Sequence, residues 1–285
     1  MMTETPTLSE WIAFLDFHLE AGVDIALDEK PHNRFEEKAV SSGISSKAAV
    51  QDSGRNRQPE AALPRSPVQR AIPSLAVGAP DKAEQDARSQ ALAASSIEEL
   101  HSILSSFDGC SLKFSAKNLV FADGNPQARI MLVGEAPGAE EDKQGKPFVG
   151  RSGKLLDKML EAIGLNRSSV YITNIIPWRP PGNRTPTPQE IAICKPFILR
   201  HIELVSPQLL VTLGGPAAQT LLDSKEGILK TRGRWFSYDS GSATIPALAT
   251  LHPAYLLRQP LQKRLAWRDL LSIKQYCKKE NICDC

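Results

Sequence analysis

Two segments decide the fold of this 285-residue chain: Ile130-Met131-Leu132-Val133 followed by Gly134-Glu135-Ala136-Pro137-Gly138, and Ile245 to Leu251 followed by His252-Pro253-Ala254-Tyr255-Leu256-Leu257-Arg258. Each begins with an apolar run that predicts a buried parallel strand. The carboxyl ends of parallel strands share one edge of a sheet, and open α/β sheets bind their ligands there. An acid and a histidine carried to this edge predict a catalytic site.

The same pattern continues between these segments and after the second one. Two more apolar runs predict strands, and amphipathic stretches between and after the strands predict helices; the strands cover Val170 to Asn174 and Leu209 to Leu213, and the helices cover about 152–163, 188–204, 215–223 and 261–277. Alternating strands and helices imply a parallel sheet with right-handed crossovers and helices on both faces. We therefore expect an α/β domain with about four strands.

The chain before this domain has a different composition. Residues 1–30 contain a capping-box pattern at Thr7-Leu8-Ser9-Glu10, which predicts a short amphipathic helix. Residues 31–81 are rich in Ser, Pro, Ala and charge, which is typical of a disordered linker. We expect residues 82–277 to form the folded domain, beginning with helices at 82–94 and 96–106, and residues 278–285 to form a flexible tail.

Charge is distributed unevenly along the chain. The formal net charge is +2, but residues 1–95 carry 10 Lys/Arg against 14 Asp/Glu, so the remainder of the chain carries 24 against 18. Residues 225–274 alone contain nine basic and three acidic residues. Such an excess favours a polyanionic partner, although a solvated helix face is the common alternative.

The sequence contains five cysteines and no long apolar span, and both observations bear on the cellular compartment in which the protein works. An odd number of cysteines without a secretory context favours reduced thiols over a disulfide framework. No stretch resembles a transmembrane span or a signal peptide. We expect a cytoplasmic protein with no membrane association.

Several motifs occur together in a fixed order: Gly134-Glu135-Ala136-Pro137-Gly138, Glu141-Asp142, Gly145-Lys146-Pro147-Phe148-Val149-Gly150, Thr173-Asn174, Arg179-Pro180-Pro181-Gly182-Asn183-Arg184 and His252 to Arg258. In this order they resemble family 4 uracil-DNA glycosylases over about residues 107–275. The resemblance implies a three-layer α/β/α sandwich on a four-stranded parallel sheet. It also implies hydrolysis of the bond between uracil and deoxyribose, in single- or double-stranded DNA, which leaves an abasic site.

The resemblance assigns roles to residues at the predicted sheet edge. Glu135 would activate water and stabilise a sugar cation, and His252 would donate to uracil O2 as negative charge develops there. Uracil would be bound by Ala136, Glu141, Phe148 and Asn174. Of these, Phe148 would stack on the flipped base, and Asn174 would accept from N3–H and donate to O4. Glu141 would exclude the thymine methyl group, although an exposed loop carboxylate is the alternative.

Contacts to DNA are expected from a further set, namely Ser152, Arg184, Leu256, Leu257 and Arg258. Ser152 lies where a predicted helix begins, and its first backbone N–H groups could hold a phosphate. The two leucines suit a wedge that enters the base step vacated by the flipped nucleotide, with Arg258 on phosphate. The alternative is that they cap the hydrophobic core, and we expect this of at least one of them.

The chain departs from the family at the iron–sulfur site. Family 4 enzymes hold a [4Fe–4S] cluster with four cysteines, whereas here Cys110 and Cys194 match two ligands and Phe107 and Trp178 stand at the other two. Two thiolates cannot supply the usual site. We therefore expect no cofactor and no metal, with Phe107 and Trp178 packing in place of the cluster.

Two other functions stay open from the sequence. A related branch captures uracil-DNA covalently through a histidine after the asparagine strand, but no histidine occurs from 175 to 200, which favours a turnover enzyme over a covalent or non-catalytic binder. A scaffold protein is the other alternative, because the N-terminal helix could bind a replication or repair protein. We expect a monomer.

Overall fold

Six strands form one mixed sheet in the computed structural model, which describes residues 80–282. In chain order the strands are β1 Ala122–Gly124, β2 Ile130–Gly134, β3 Tyr171–Asn174, β4 Leu209–Leu213, β5 Trp235–Asp239 and β6 Thr244–Thr250. Their order across the sheet is β1-β3-β2-β4-β6-β5. The inner strands β3, β2, β4 and β6 are parallel, and the two edge strands run antiparallel to their neighbours.

The expectation of a four-stranded parallel sheet is thus corrected to a six-stranded mixed sheet around four parallel strands. All four predicted strands are present. The two edge strands lack the apolar signal that marks a buried strand. β1 has three residues, Ala-Asp-Gly, and β5 is buried only at Tyr238. Each pairs along one side only, so neither needs the continuous apolar run of the inner strands.

Helices join the strands. They are α1 Pro80–Ala93, α2 Ile97–Ser106, α3 Leu112–Ser115, α4 Ala139–Gln144, α5 Arg151–Glu161, α6 Pro188–Val205, α7 Gly215–Leu222, α8 Ile228–Thr231, α9 Pro253–Arg258 and α10 Lys263–Lys279. The six longer predicted helices occur where they were expected. Four short ones, α3, α4, α8 and α9, were missed because four to six residues are too few to show a helical period.

Hydrophobic residues cover both faces of the sheet. On one face Met131 and Val133 of β2 belong to a core that includes buried residues of α1, α2, α6 and α7. On the other face Ile130 and Leu132 belong to a core that includes α5, α9 and α10. This alternation along β2 gives the three-layer α/β/α arrangement, since successive side chains of a strand point to opposite faces.

Strand register brings the chain segments of interest to one edge. Gly134 of β2 lies opposite Asn174 of β3, and Leu213 of β4 lies opposite Thr250 of β6. The backbone N–H of Gly214 donates to the Thr250 carbonyl over 2.8 Å, which continues the pairing beyond the last residue of β4. The residues that follow these four strands therefore open at a common edge.

The predicted end segments are described only in part. The predicted N-terminal helix and all but the last two residues of the predicted linker lie outside the described residues, as do the last three residues of the predicted tail. Within the described part of that tail, α10 continues to Lys279, Ile282 is buried, and Arg129 donates to the Asn281 carbonyl over 2.7 Å. Between residues 80 and 282, none of the helices has the length and apolar character that a membrane crossing requires.

Candidate active site

A cleft of about 590 Å³ opens at the carboxyl edge of the four parallel strands. Nine of the eleven predicted site residues line it: Glu135, Ala136, Glu141, Phe148, Ser152, Asn174, Arg184, His252 and Arg258. These residues come from segments up to 123 positions apart, so the fold, and not local sequence, brings them together.

Gly134 lets two side chains meet at the bottom of the cleft. A Cβ at this position would lie 2.4 Å from Asn174 Oδ1 and 2.7 Å from Phe148 Cζ. Such distances are far inside van der Waals contact, so any side chain at position 134 would displace the ring or the amide. Glycine is required here for close approach, not for an unusual φ.

The amide oxygen of Asn174 is buried and has no hydrogen-bond partner within the protein. Within residues 80–282 one other buried side-chain atom, Thr212 Oγ1, shares this property. An unsatisfied buried polar group costs about 1–3 kcal/mol. An acceptor left open in a cleft, beside an aromatic ring, is satisfied when a ligand brings an N–H group to it.

Phe148 lies beside Asn174 with an unusual backbone. Its φ is 53°, in the left-handed region that is uncommon for residues other than glycine. The ring is 4 % exposed, and its centroid lies 5.5 Å from that of His252 at an interplanar angle of 32°. A Cβ at Gly153 would lie 1.7 Å from the Phe148 carbonyl oxygen, so the first turn of α5 packs directly under this residue. Strain of this kind persists where the surroundings impose it.

Glu141 is buried, which rules out the alternative of an exposed loop carboxylate. Its carboxylate accepts three backbone N–H groups: Gly138 at 3.1 Å, Val149 at 3.0 Å and Gly150 at 2.8 Å. These bonds join the segment after β2 to the loop that carries Phe148. The observed contacts of Glu141 therefore shape the Phe148 loop.

His252 caps α9 through its ring. Its Nδ1 accepts the backbone N–H of Ala254 over 3.1 Å, which places the proton of the neutral imidazole on Nε2. Burial, together with the charge of Arg258, lowers the pKa of His252 to about 4, and Glu141 opposes this shift. Near neutral pH, His252 is therefore a neutral hydrogen-bond donor through Nε2.

Glu135 follows β2 directly and is half-buried at the cleft. Burial raises the pKa of its carboxyl group above the ordinary value. A carboxylate with reduced hydration is a stronger proton acceptor and interacts more strongly with a nearby cation than an exposed one. Glu135 and His252 thus supply an acceptor and a neutral donor to one cleft.

The two leucines that were predicted to form a wedge differ in burial. Leu256 is 1 % exposed and packs in the core beneath α9, so its assignment to DNA contact is corrected to a core role. Leu257 is 37 % exposed and, like its neighbour Arg258, is accessible at the surface. The leucine available for a wedge is therefore Leu257.

Two other predicted DNA contacts differ in how free their side chains are. Arg184 makes a two-point contact with Glu190, at 2.6 and 2.9 Å, so its guanidinium is already engaged. The charge of Glu190 also raises the pKa of Arg184 through the same hydrogen bonds. Ser152 lies in the first turn of α5 at the cleft, where the backbone N–H groups of a helix start favour an anion.

Some residues that line the cleft were given no role from the sequence. Gly214 has a φ of 98°, and a Cβ there would lie 3.0 Å from the Cβ of His252. Tyr255 and Ile228 add apolar wall, and Ile228 belongs to the missed helix α8. An apolar residue in a loop or short helix looks the same in sequence whether it lines a core or a cleft, so Ile228 was not identifiable.

The four residues that the resemblance places at an iron–sulfur site, Phe107, Cys110, Trp178 and Cys194, do not fit a four-thiolate cluster. Cys110 and Cys194 are buried with their sulfur atoms 3.9 Å apart, and the aromatic rings of Phe107 and Trp178 belong to the same hydrophobic core. Between residues 80 and 282, no group of three or more His, Cys, Asp or Glu side chains is arranged to hold a metal ion. Because neither ring can supply a thiolate, no catalytic step is assigned to a cluster.

Comparisons with known proteins agree with this geometry. Residues 121–271 match the family described as the uracil DNA glycosylase superfamily. Similar proteins include the type-4 uracil-DNA glycosylases of Thermotoga maritima, 44 % identical over 174 residues, and of Archaeoglobus fulgidus, 38 % identical over 175. Each alignment covers 60 % of this chain, and 89 % and 88 % of the respective relative. That of Sulfurisphaera tokodaii is 39 % identical over 63 % of this chain and 84 % of its own length.

The matched region contains all six strands and every residue that lines the cleft. The family model covers more than half of the chain, and the relatives are covered over most of their length. The chain belongs to the uracil-DNA glycosylase superfamily.

Proposed function

We propose that this protein is a monofunctional uracil-DNA glycosylase that hydrolyses the bond between uracil and deoxyribose. The reaction releases the free base and leaves an abasic site in single- or double-stranded DNA. The observation that carries the proposal is the unpartnered amide oxygen of Asn174, buried beside the Phe148 ring at the bottom of the cleft. The names of the three relatives given above, each a type-4 uracil-DNA glycosylase, support it.

Base recognition follows from the chemistry of Asn174. Its oxygen would accept uracil N3–H and its amide nitrogen would donate to uracil O4. Cytosine presents an unprotonated N3 and an amino group at these positions. The Asn174 oxygen would then face another acceptor and stay unsatisfied, and the Asn174 amide N–H would face the N–H groups of the cytosine amino group. A base reaches this depth only when its nucleotide is flipped out of the stack, and the Phe148 ring then offers it a face.

Catalysis would rest on Glu135 and His252. As the glycosidic bond breaks, positive charge develops on the sugar and negative charge on the uracil. Glu135 would orient the attacking water, accept its proton and stabilise the sugar cation. His252 would donate from Nε2 to uracil O2, and the proton on this nitrogen follows from the Ala254 contact.

The rim of the cleft would bind the DNA strand. Arg258 would contact phosphate, Ser152 and the start of α5 would hold a second phosphate, and Leu257 would fill the vacated base step. Arg184 would contact the strand through the guanidinium N–H groups that are not bound to Glu190 or Thr185. The basic residues between 225 and 274 would add the salt-dependent part of the affinity.

We also propose that the protein works as a monomer in the cytoplasm, and that residues 1–30 bind a replication or repair protein as an amphipathic helix. The support for the partner is the capping-box pattern alone, and that pattern lies outside the described residues. The proposed catalytic chemistry does not depend on it, since every cleft residue lies between 135 and 258.

Substitution of Asn174 tests the base-reading role. Asn174→Asp replaces the amide donor by an acceptor, so we expect a loss of about 10- to 100-fold in kcat/KM for uracil, as expected for one buried hydrogen bond, and measurable excision of cytosine. The measurement is base release from matched uracil- and cytosine-containing strands. Asn125→Asp is the control, because Asn125 uses its side-chain oxygen as an acceptor for the Gln127 N–H and aspartate preserves that bond. Unchanged kinetics and selectivity in Asn174→Asp would remove this residue from base reading.

The pH profile tests the assigned protonation states. Glu135 must be ionised to accept a proton, and burial raises its pKa, so we expect kcat/KM to fall as the pH drops through a value above the ordinary one for glutamate. His252 stays neutral down to about pH 4 and should add no titration near 6.5. Rates measured for the wild type, Glu135→Gln and His252→Gln decide the assignment: the acid limb should vanish in Glu135→Gln. A limb near 6.5 that vanishes in His252→Gln instead would show a charged histidine.

Iron analysis tests the proposal that the protein works without the family's cluster. We expect protein purified without oxygen to hold iron and acid-labile sulfide far below the stoichiometry of one cluster, and a strong iron chelator to leave uracil release unchanged. Cys110→Ser with Cys194→Ser serves as the matched background for adventitious iron. A stoichiometric cluster in the wild type that is lost in this double variant would contradict the proposal.

A further inference from the structure

The loop from Pro147 to Gly150 is held from two sides. Glu141 binds its backbone N–H groups at Val149 and Gly150, as described above. The backbone carbonyls of Pro147 and Phe148 are bound by a residue that lies outside the cleft, Arg167. Since the Phe148 ring would stack on the base, the group that fixes its carbonyl also fixes the ring.

Arg167 uses all three nitrogens of its guanidinium. One terminal nitrogen donates to Asp123 over 2.6 Å and to the Pro147 carbonyl over 3.3 Å, and the other donates to the Phe148 carbonyl. Its Nε donates to Asp157 over 2.8 Å. The guanidinium group is planar, and carboxylates bind it at Nε and at one terminal nitrogen, so its orientation is fixed. In that orientation its terminal nitrogens donate to the loop carbonyls.

The two carboxylates belong to different elements. Asp123 lies on the edge strand β1 and also receives Lys146 at 3.6 Å, and Asp157 lies on α5. Arg167 itself precedes β3. Burial opposes the charge on Arg167, but its hydrogen bonds to Asp157 and Asp123 outweigh burial and raise the pKa of the guanidinium. The sheet and α5 thus jointly set the position of Arg167 relative to the loop.

This arrangement accounts for the left-handed backbone of Phe148. With φ at 53°, the residue would relax to a common conformation if its carbonyl were released. Relaxation would swing the ring away from Asn174 and His252, next to which it now lies. Glu141 binds only the N–H groups after Phe148, and α5 packs against the Phe148 carbonyl at Gly153, whereas Arg167 donates a hydrogen bond to this carbonyl.

We propose that Arg167 is a positioning residue for base recognition, which acts by clamping the Pro147 and Phe148 carbonyls so that the Phe148 ring stays in place to stack on the flipped base. The inference rests on the proposed function and deepens it. Lysine cannot replace arginine here, because an ammonium group is a point charge and cannot join two carboxylates and two carbonyls in one plane.

A double-mutant cycle tests the proposal. Single-turnover rates of uracil release from a single-stranded substrate, and inhibition constants for free uracil, are measured for the wild type, Arg167→Lys, Phe148→Leu and the double variant. We expect Arg167→Lys to lower the rate by about 10- to 100-fold, the scale for a misplaced recognition group, and to weaken uracil inhibition. The double variant should be no slower than Phe148→Leu, because residues that act through one contact are not additive.

Arg200→Lys is the matched control. Arg200 also donates to a backbone carbonyl, that of Ala94 at 2.9 and 2.7 Å, and pairs with Glu203 at 2.6 Å, but it lies on α6 away from the cleft. We expect it to lower the melting temperature as a lost arginine contact does, and to change neither the rate nor uracil inhibition. If Arg167→Lys does not fold, Asp157→Asn removes one anchor of the guanidinium and should produce the same changes to a smaller extent.

The outcomes separate the two proposals. The positioning role would be overturned if the rate loss of the double variant equalled the product of the two single-variant losses, or if Arg167→Lys left uracil inhibition unchanged. Either result would leave the proposed glycosylase function standing. No uracil release from the wild type would instead overturn the proposed function, and the role of Arg167 with it.

Discussion

The cleft depends on the close packing of Gly134 and Asn174, at the ends of two neighbouring strands, with Phe148 of the loop before α5. Gly134 lies opposite Asn174 in the β2–β3 register, and its missing side chain leaves the space in which the Asn174 amide and the Phe148 ring meet. Three more contacts hold the ring there: Glu141 on the following N–H groups, Gly153 beneath its carbonyl, and Arg167 on that carbonyl. An unsatisfied oxygen and a strained backbone are thus maintained by the fold around them, and both are expected at a site that binds a flat, polar ring.

The electrostatics of the cleft follow from the same burial. One environment raises the pKa of Glu135 and lowers that of His252 to about 4. Desolvation disfavours the charged form of each group, so the acid becomes a better base and the histidine stays neutral. For a reaction that separates charge between a sugar and a leaving base, a poised carboxylate and a neutral donor suit the two ends of the bond that breaks. Phe107 and Trp178 lie in the hydrophobic core beside Cys110 and Cys194, and neither ring can supply a thiolate.

Much of this could be predicted from sequence, for physical reasons that also explain the gaps. Inner strands such as Leu209 to Leu213 are buried on both faces, so their apolar runs are easy to recognise, and the polar residues after them identify the ligand edge. The edge strand β1 has three residues and gives no such signal, yet it supplies Asp123 to the Arg167 clamp. Burial of Leu256 but not Leu257 depends on the direction of a six-residue helix, and the contacts of Glu141 depend on a loop conformation. The local sequence pattern predicts neither which of the two leucines is buried nor which groups Glu141 contacts.

Uracil release from DNA tests the central claim most directly. Purified protein would be incubated with single-stranded DNA that holds one central uracil, then treated with alkali and separated on a gel, beside Glu135→Ala and His252→Ala. We expect a strand break that requires alkali, and a rate reduced by about 100-fold or more in each variant, the scale for removal of a general base or of a donor to the leaving group. Uracil-dependent binding without a break would contradict the catalytic account and indicate a lesion-binding protein. No uracil dependence at all would show that this chain shares the fold but not the proposed activity.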